Sequence, residues 1–596
     1  MQIPFKQYGS LLADYLKPQR GRVIGLAIAL LSSIVLQIIN PQILGYFIDT
    51  AVEGGSQQSL LGAAIAFTAI ALLTQVFSVA ATYLGETVAW SATNALRVDL
   101  AAHCLRLDLS FHKAHTPGEL LERVDGDVNA LSRFFSQLVI HVLGNGILLA
   151  GILTVLCFEN RLAGLSLSAF AVVALSLLLG LRSLAISPWA DYRQISAEFY
   201  GFIGEHVAGR EDIRANGAVH YVLRRFYELL QRWLPVYQRA RFASTVLWAT
   251  SVGLFTIGNA IALAVSAYLW SQNAITLGTA YLIFHYTNLL AQPIERIREE
   301  LEQLQQVEAS IHRVREVLNV QSMLSNQGHC SLPMGALPVS FKQIWFSYET
   351  SKHQNPERAK FPAPQNWTLQ DLSFYLPAGQ VLGLLGRTGS GKSTIARLLL
   401  RLYDIQSGQI HLGGGAIAQV PLSELRQRVG LVTQDVQLFQ ATVRDNLTFF
   451  DPQIPDDTIL QTLEDLGLAP WLRSLPNGLN THLGSDSSGL SAGQAQLLAL
   501  VRVFLKNPGL VILDEASSRL DPQTEALIEQ AINKLLKDRT GIIIAHRLQT
   551  VHRADQILIL EQGQVLEYGD RSTLANQPHS RFAQLLKTGI GVGEGG

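Results

Sequence analysis

Four residues stand in a spacing that handles phosphate. Gly386, Gly391, Lys392 and Ser393 fit the P-loop pattern G-x-x-x-x-G-K-[ST] inside GLLGRTGSGKST, residues 383–394. Glycines let backbone N–H groups turn inward around phosphate oxygens. Lys392 is expected to neutralise β- and γ-phosphate charge, and the Ser393 hydroxyl to hold Mg²⁺. The nucleoside triphosphate, ATP, is expected to lie against Gly386, Arg387, Thr388, Gly389, Ser390, Gly391, Lys392, Ser393 and Thr394. The flanks agree. Val381 to Leu385 reads as a buried strand, and Ile395 to Leu402 has helical apolar spacing. A helix leaving the loop would aim its positive dipole end at the same phosphates.

Further chemistry-bearing residues follow this loop. Leu510 to Leu513 is an apolar strand ending in Asp514 and Glu515. Asp514 is expected to serve Mg²⁺, and Glu515 to polarise the attacking water as general base. Ile544 and Ala545 end another strand before His546, which is placed to contact the γ-phosphate. Gln434, in a loop after Val432, is placed to sense Mg²⁺ and γ-phosphate, which makes it both a catalytic and a metal candidate.

These residues lie in the second half of a 596-residue chain of net charge −1. That length predicts more than one domain, and the balance of charge predicts no nucleic-acid partner. Cys104, Cys157 and Cys330 are too few and too far apart for a disulfide framework or a metal site. No cleavable signal peptide is evident at the polar start. The first half carries six apolar stretches near 23–47, 60–84, 137–158, 162–182, 246–270 and 275–295, each long enough to span a bilayer. The two long connections between them are patterned as helices that continue out of the membrane. These connections hold Arg97, Arg106, Lys113, Arg123, Arg210, Arg214, Arg224 and Arg225, whereas the loop with Asp49 and Glu53 has no basic residue. The positive-inside rule then puts the N-terminus and everything after the sixth span in the cytoplasm, where ATP is found. Glu86, His141, Asn145 and His285, with Tyr281, Phe284 and Tyr286, are polar or aromatic groups within or near spans. They are candidates for a substrate path, against the alternative of packing and interfacial anchoring.

The expected organisation is a helical transmembrane domain over 1–320, a linker over 321–338, an α/β P-loop domain over 339–588 and a disordered tail over 589–596. Strand-length apolar runs near 341–347, 381–385, 429–433, 510–513 and 541–545 predict a largely parallel sheet.

The run Leu490-Ser491-Ala492-Gly493-Gln494 resembles the signature of ATP-binding cassette (ABC) proteins. With six spans before one cassette, the whole chain resembles an exporter-type ABC half-transporter. The resemblance implies that Ser518 to Asp521 forms the D-loop and that Tyr348 stacks on adenine. It also implies that Phe111 to Leu120, with Arg123 and Asp127, forms the first cytoplasmic connection, and that a second coupling helix lies near Gly209 to Arg214. Two cassettes would close head to tail on two ATP molecules, each site drawing the signature residues Ser491, Gly493 and Gln494 from the opposite chain, with Asp521 of the D-loop also at the ATP site. A second half-transporter chain is therefore an expected partner, either a copy of this one or a different one, together with the lipid bilayer. Multi-pass insertion in a bacterial inner membrane and export of a small molecule, lipid or peptide are implied. The alternatives are an ATP-gated channel or regulator, and an importer built on the exporter fold. Three features depart from the family pattern. Ala492 stands for the usual Gly and Ala495 for a basic residue, Gly484 to Ser487 lacks Glu-Arg-Gly, and a polar insert occupies 349–366, read here as a solvated loop.

Overall fold

Apolar runs much longer than a soluble core needs have become long helices. The computed structural model describes residues 14–181, 183–322, 324, 328–348, 367–484, 490–514, 522–545 and 548–588, with side-chain surroundings defined except at 133–139, 183–185, 301–308, 522–523, 548–550 and 588. The chain divides into two compact units, one made of the residues up to Arg106 with Thr116–Val320, the other of Leu107–His115 with the residues from Gln321 onward.

The first unit is helical. Its elements are α1 (Arg20–Val52), α2 (Gln57–Arg106), α4 (Pro117–Leu121), α5 (Val128–Gln137), α6 (Asn145–Glu159), α7 (Arg161–Leu181), α8 (Ser183–Ala208), α9 (Arg210–Ala215), α10 (Val219–Ser271) and α11 (Leu277–Asn319). The short helix α3 (Leu109–Ala114) goes with the second unit. At roughly 1.5 Å per residue, the 50 residues of α2 run far beyond a hydrocarbon layer about 30 Å thick. The same holds for the 53 residues of α10. Among the described residues, five helical runs are long and apolar enough to cross a membrane: Asp14–Val52, Gln57–Arg106, Ile140–Glu159, Arg161–Ala208 and Val219–Ser271. The sixth expected span falls in α11, which is less apolar because one of its faces is polar.

In lipid the usual core rule inverts. Ile24, Ile28, Leu31 and Val35 of α1 are exposed, while the small residues Ala29 and Ser33 are buried along with Leu26 and Ile34. Small residues let the helices approach. A Cβ at Gly258 of α10 would meet the Phe170 ring of α7 at 2.5 Å, and one at Gly45 of α1 would meet Leu282 of α11 at 2.8 Å. Asp49 pins the start of α11, accepting from Gly278 N and Thr276 Oγ1, each at 2.7 Å. Two π-helical turns, Glu122–Asp127 and Leu138–Gly144, interrupt the α-helical path between α4 and α6. At the end of the first, the buried Asp127 takes a two-pronged bond from Arg313 of α11.

The second unit carries a six-stranded sheet. Its strands are β3 (Val381–Gly386), β6 (Val429–Val432), β9 (Leu510–Asp514), β10 (Thr540–Ile544), β11 (Gln556–Glu561) and β12 (Gln564–Asp570), in the order β12-β11-β3-β10-β9-β6. All neighbours are parallel except β11 with β12. The strand expected near 341–347 is not part of this sheet. As β1 (Val339–Phe346) it pairs antiparallel with β2 (Leu369–Leu376) and β4 (Ser407–Leu412), and β5 (Gly415–Ala416) completes a separate four-stranded sheet. The physical reason is periodicity. Buried Val339, Phe341, Ile344 and Phe346 mark one covered face, interrupted by a register shift, whereas β3 is buried on both faces. A small two-stranded pair joins β7 (Ala441–Thr442) to β8 (His482–Leu483).

Candidate functional site

Parallel register brings the chemistry to one edge. Leu384 of β3 lies beside Ile544 of β10, Ile544 beside Asp514 of β9, and Leu513 beside Val432 of β6. The P-loop after β3, Asp514 at the end of β9 and Gln434 two residues past β6 therefore all emerge from the carboxyl edge, where open α/β sheets bind ligands. Ser393 donates from Oγ to Asp514 Oδ2 at 3.3 Å. This pairs a hydroxyl and a carboxylate oxygen, the hard donor set that suits Mg²⁺. Gln434 is exposed.

The loop itself fits a polyphosphate. The helix that leaves it, α12 (Lys392–Leu399), has no side-chain cap, because its N-cap is Gly391 in the left-handed region at φ 104°. No side chain therefore competes with an anion at its first turn. Lys392 is 5% exposed. It curls over the loop, donating from Nζ to Gly386 O at 2.6 Å and Arg387 O at 3.0 Å. Ser390 Oγ is buried without a partner. A buried hydroxyl in that condition is costly unless something hydrogen-bonds it, and a phosphate oxygen would do so.

Tyr348, two residues past β1, is held against this helix. Its hydroxyl meets Thr394 Oγ1 at 3.0 Å and accepts from Arg397 NH1 at 3.0 Å. That bond, more than any other influence, raises the Arg397 guanidinium above its ordinary value. The part played by Arg397 was not read from the sequence. The signal was there, since Arg397 is four residues past Ser393, one helical turn on.

The signature residues open another helix, α13 (Ala492–Lys506). Ser491 caps it by a reciprocal box: Gln494 N donates to Ser491 Oγ at 3.2 Å, and Ser491 N to Gln494 Oε1 at 3.0 Å. Ser491 and Ala492 are exposed, Gln494 is half-buried and Gly493 is buried. Glu515, His546, Asp521 with the rest of 518–521, the insert 349–366, residues 485–487 and the tail 589–596 lie outside the described residues.

In the helical unit the path candidates divide. Polar residues Tyr281, His285, Asn288, Gln292, Glu295 and Glu299 recur every three or four positions along α11 and so share one face. The opposite face, with Ile283, Tyr286, Leu290 and Ile294, is fully buried. Tyr286 is a packing residue whose hydroxyl donates to Ile38 O at 2.6 Å. On the polar face, Asn259 Nδ2 of α10 donates to Asn288 Oδ1 at 2.9 Å. Ser251 Oγ donates to Glu295 Oε2 at 3.1 Å, and Glu295 also takes Arg298 at 2.7 Å. Tyr281 and His285 stack at 5.6 Å. Tyr281 and Phe284 also line a cavity of about 470 Å³ with Trp270, Leu263 and Ile48. Asn145 donates to His141 O at 2.6 Å. Asn259, Asn288, Gln292 and Glu295 were missed as site residues, although their spacing was visible.

Comparison with known proteins agrees with this geometry. The family model for the ABC transporter transmembrane region matches residues 23–294, and that for the ABC transporter matches 369–518. The fatty acid ABC transporter ATP-binding/permease protein of Mycobacterium tuberculosis (strain CDC 1551 / Oshkosh) is 31% identical over 80% of this chain and 74% of its own length. The uncharacterized ABC transporter ATP-binding protein YknV of Bacillus subtilis (strain 168) is 28% identical over 94% and 91%. The ATP-dependent lipid A-core flippase of Photobacterium profundum is 28% identical over 86% and 85%. A solved bacterial Atm1-family ABC exporter with ATP bound has the same fold, with a TM-score of 0.74 at 24% identity, covering 96% of this chain and 98% of that one. A phosphate-binding loop beside a strand-end carboxylate, a capped signature helix and a bundle of membrane-length helices in one chain belong together: the protein is a member of the ABC transporter family, an exporter-type half-transporter whose cassette binds and hydrolyses ATP to drive transport.

Proposed function

We propose that the chain works as one half of a dimeric exporter in a bacterial inner membrane, with its N-terminus and cassette in the cytoplasm. Tyr348 is the platform for adenine, the loop from Gly386 to Thr394 holds the phosphates, and Glu515 is the base. Ser393, Asp514 and Gln434 would hold Mg²⁺, which supplies charge neutralisation at the β- and γ-phosphates when bound. Ser491 and Ala492 are exposed at the start of α13, free to meet nucleotide held by a second chain. Closure on ATP favours one arrangement of the helices and hydrolysis releases it, giving alternating access.

The cargo reading rests on one observation, the polar face of α11. A membrane helix does not turn amides and carboxylates toward lipid, so this face lines the path. The acids on it are matched by Arg298 and Arg296, with Arg296 3.2 Å from Glu299. The adjoining cavity of about 470 Å³ is aromatic and apolar. The pair fits a small amphiphile, with a hydrogen-bonding head against Asn259, Asn288 and His285 and an apolar part against Trp270 and Phe284.

The test is ATPase activity of this chain purified alone in lipid, beside Glu515→Gln. Turnover that falls by about 10²- to 10⁴-fold in the variant while ATP stays bound supports the base assignment and a dimer of identical chains. ATP binding without turnover in the unaltered chain overturns the identical dimer in favour of a different second chain. Unchanged turnover in Glu515→Gln places the base elsewhere.

A further inference from the structure

The Tyr348 ring has a neighbour that no nucleotide role requires. Lys113 Nζ sits 4.4 Å from the ring centroid, over its face. The helix that carries it is anchored. Lys113 belongs to α3, capped at its start by Asp108, which accepts from Phe111 N at 3.2 Å. Phe111 is buried and stacks on His115 at 4.4 Å. The ring is equally constrained. Its hydroxyl is tied to Thr394 and Arg397, and Phe346 and Tyr403, both within or against the core beneath the four-stranded sheet, meet it at near-right angles from 4.9 and 5.1 Å. A second cation, the Arg397 guanidinium, lies 5.9 Å from the same centroid, so Lys113 is the nearer of two.

An ammonium and a purine cannot occupy the same ring face. We propose that Lys113 gates the adenine platform: it rests over a face of the Tyr348 ring, and a base stacks on that face only by displacing it. The inference depends on Tyr348 being the platform. The segment 107–115 joins α2 to α4 along the chain. Lys113 is thus a positioning residue that acts through Tyr348 and makes no contact with the reacting atoms.

The contact is exposed on the lysine side, which sets its worth at the lower end for a cation over a ring, equivalent to about a two- to fivefold change in affinity. The experiment measures KM and kcat for ATP in the full chain in lipid, with inorganic tripolyphosphate as a base-free competitive inhibitor. For Lys113→Met we expect KM for ATP to fall about two- to fivefold, with tripolyphosphate inhibition unchanged. Lys113→Arg, which keeps a cation, should return KM to its original value. Tyr348→Ala should raise KM, and Lys113→Met added to it should have no further effect, since the two act as one pair. A KM that rises or stays level in Lys113→Met overturns the gate while Tyr348→Ala still reports on the platform. If Tyr348→Ala leaves KM unchanged, the platform reading fails and the gate with it.

Discussion

Replacing Gly391 by Ala tests whether backbone shape makes the phosphate site. Gly391 has φ 104°, and a Cβ there would meet Leu369 Cδ2 at 2.6 Å and Thr368 O at 3.3 Å. Two costs follow. Left-handed backbone with a side chain costs roughly 1–2 kcal/mol. Forcing a methyl against a fully buried leucine costs about another 1–3 kcal/mol. Gly389 separates the terms, because it has φ 82° with nothing within 4 Å of a built Cβ. Gly389→Ala therefore carries the strain alone. Either cost can be escaped only by shifting the loop, which moves Lys392 and Ser393 off the phosphates. The assay is ATP affinity of the two variants by equilibrium binding, with thermal unfolding as a control for the fold. Gly391→Ala should bind ATP at least about tenfold more weakly than Gly389→Ala, a difference of about 1.4 kcal/mol. Trimming the obstacle with Leu369→Ala in the Gly391→Ala background should recover part of that affinity. Equal losses at the two glycines, or no recovery, would refute the claim that the buried leucine fixes the loop.

Two further outcomes are expected. In a chain with Cys104, Cys157 and Cys330 replaced by Ala, single cysteines at His285, Asn288 and Gln292 should react with a membrane-impermeant thiol reagent at least about tenfold faster than cysteines at Ile283, Leu290 and Ile294, because reaction needs a hydrated thiolate; equal rates on both faces would show that α11 does not border a watery path. Glu424 accepts from Leu332 N and Ser331 Oγ, each at 2.7 Å, and these bonds hold its carboxyl below the ordinary 4.5. Its folded value is depressed, so the docking it provides is present above the ordinary value and fades as pH falls below it. The protection of the Leu332 amide, its exchange rate relative to the intrinsic rate at each pH, should fall below that pH, and Glu424→Gln should remove this pH dependence.

The ATP site was legible because its residues are bound to local patterns. A glycine loop between a doubly buried strand and a helix can be recognised without knowing what packs on it, and so can a strand ending in carboxylates. The four-stranded sheet was less visible. β2 alternates buried and exposed residues and β4 does so only in its last three, and their pairing with β1 joins segments up to about seventy residues apart. Nothing local announces that partnership. Hydropathy also led away from the face of α11 that matters. The amides and acids that weaken it as an apolar run are the groups that give it a role, and they become a face only once the helical period is applied. The Lys113 contact was out of reach for a different reason. It joins α3 to Tyr348 across more than two hundred positions of chain, and an ordinary exposed lysine gives no hint of a ring beneath it.

The departure at Ala492 reads differently once its surroundings are known. It is the first residue of α13, immediately after the Ser491 cap, and its methyl is exposed. Within its own fold alanine is the better choice there, since glycine is worse in a helix, by about 1 kcal/mol in the interior and by less at the first position. The capping box between Ser491 and Gln494 needs nothing from position 492 and is complete with alanine present. The backbone N–H that an anion would use also remains. Any cost of the methyl therefore falls on whatever approaches the start of α13 from outside the chain. Ala492→Gly should accordingly leave cassette stability level or slightly lower. If it also raises ATP turnover of the chain purified alone, the methyl is a brake on closure between identical chains. If turnover is unchanged while stability drops, the alanine serves α13 itself, and the partner's nucleotide tolerates it.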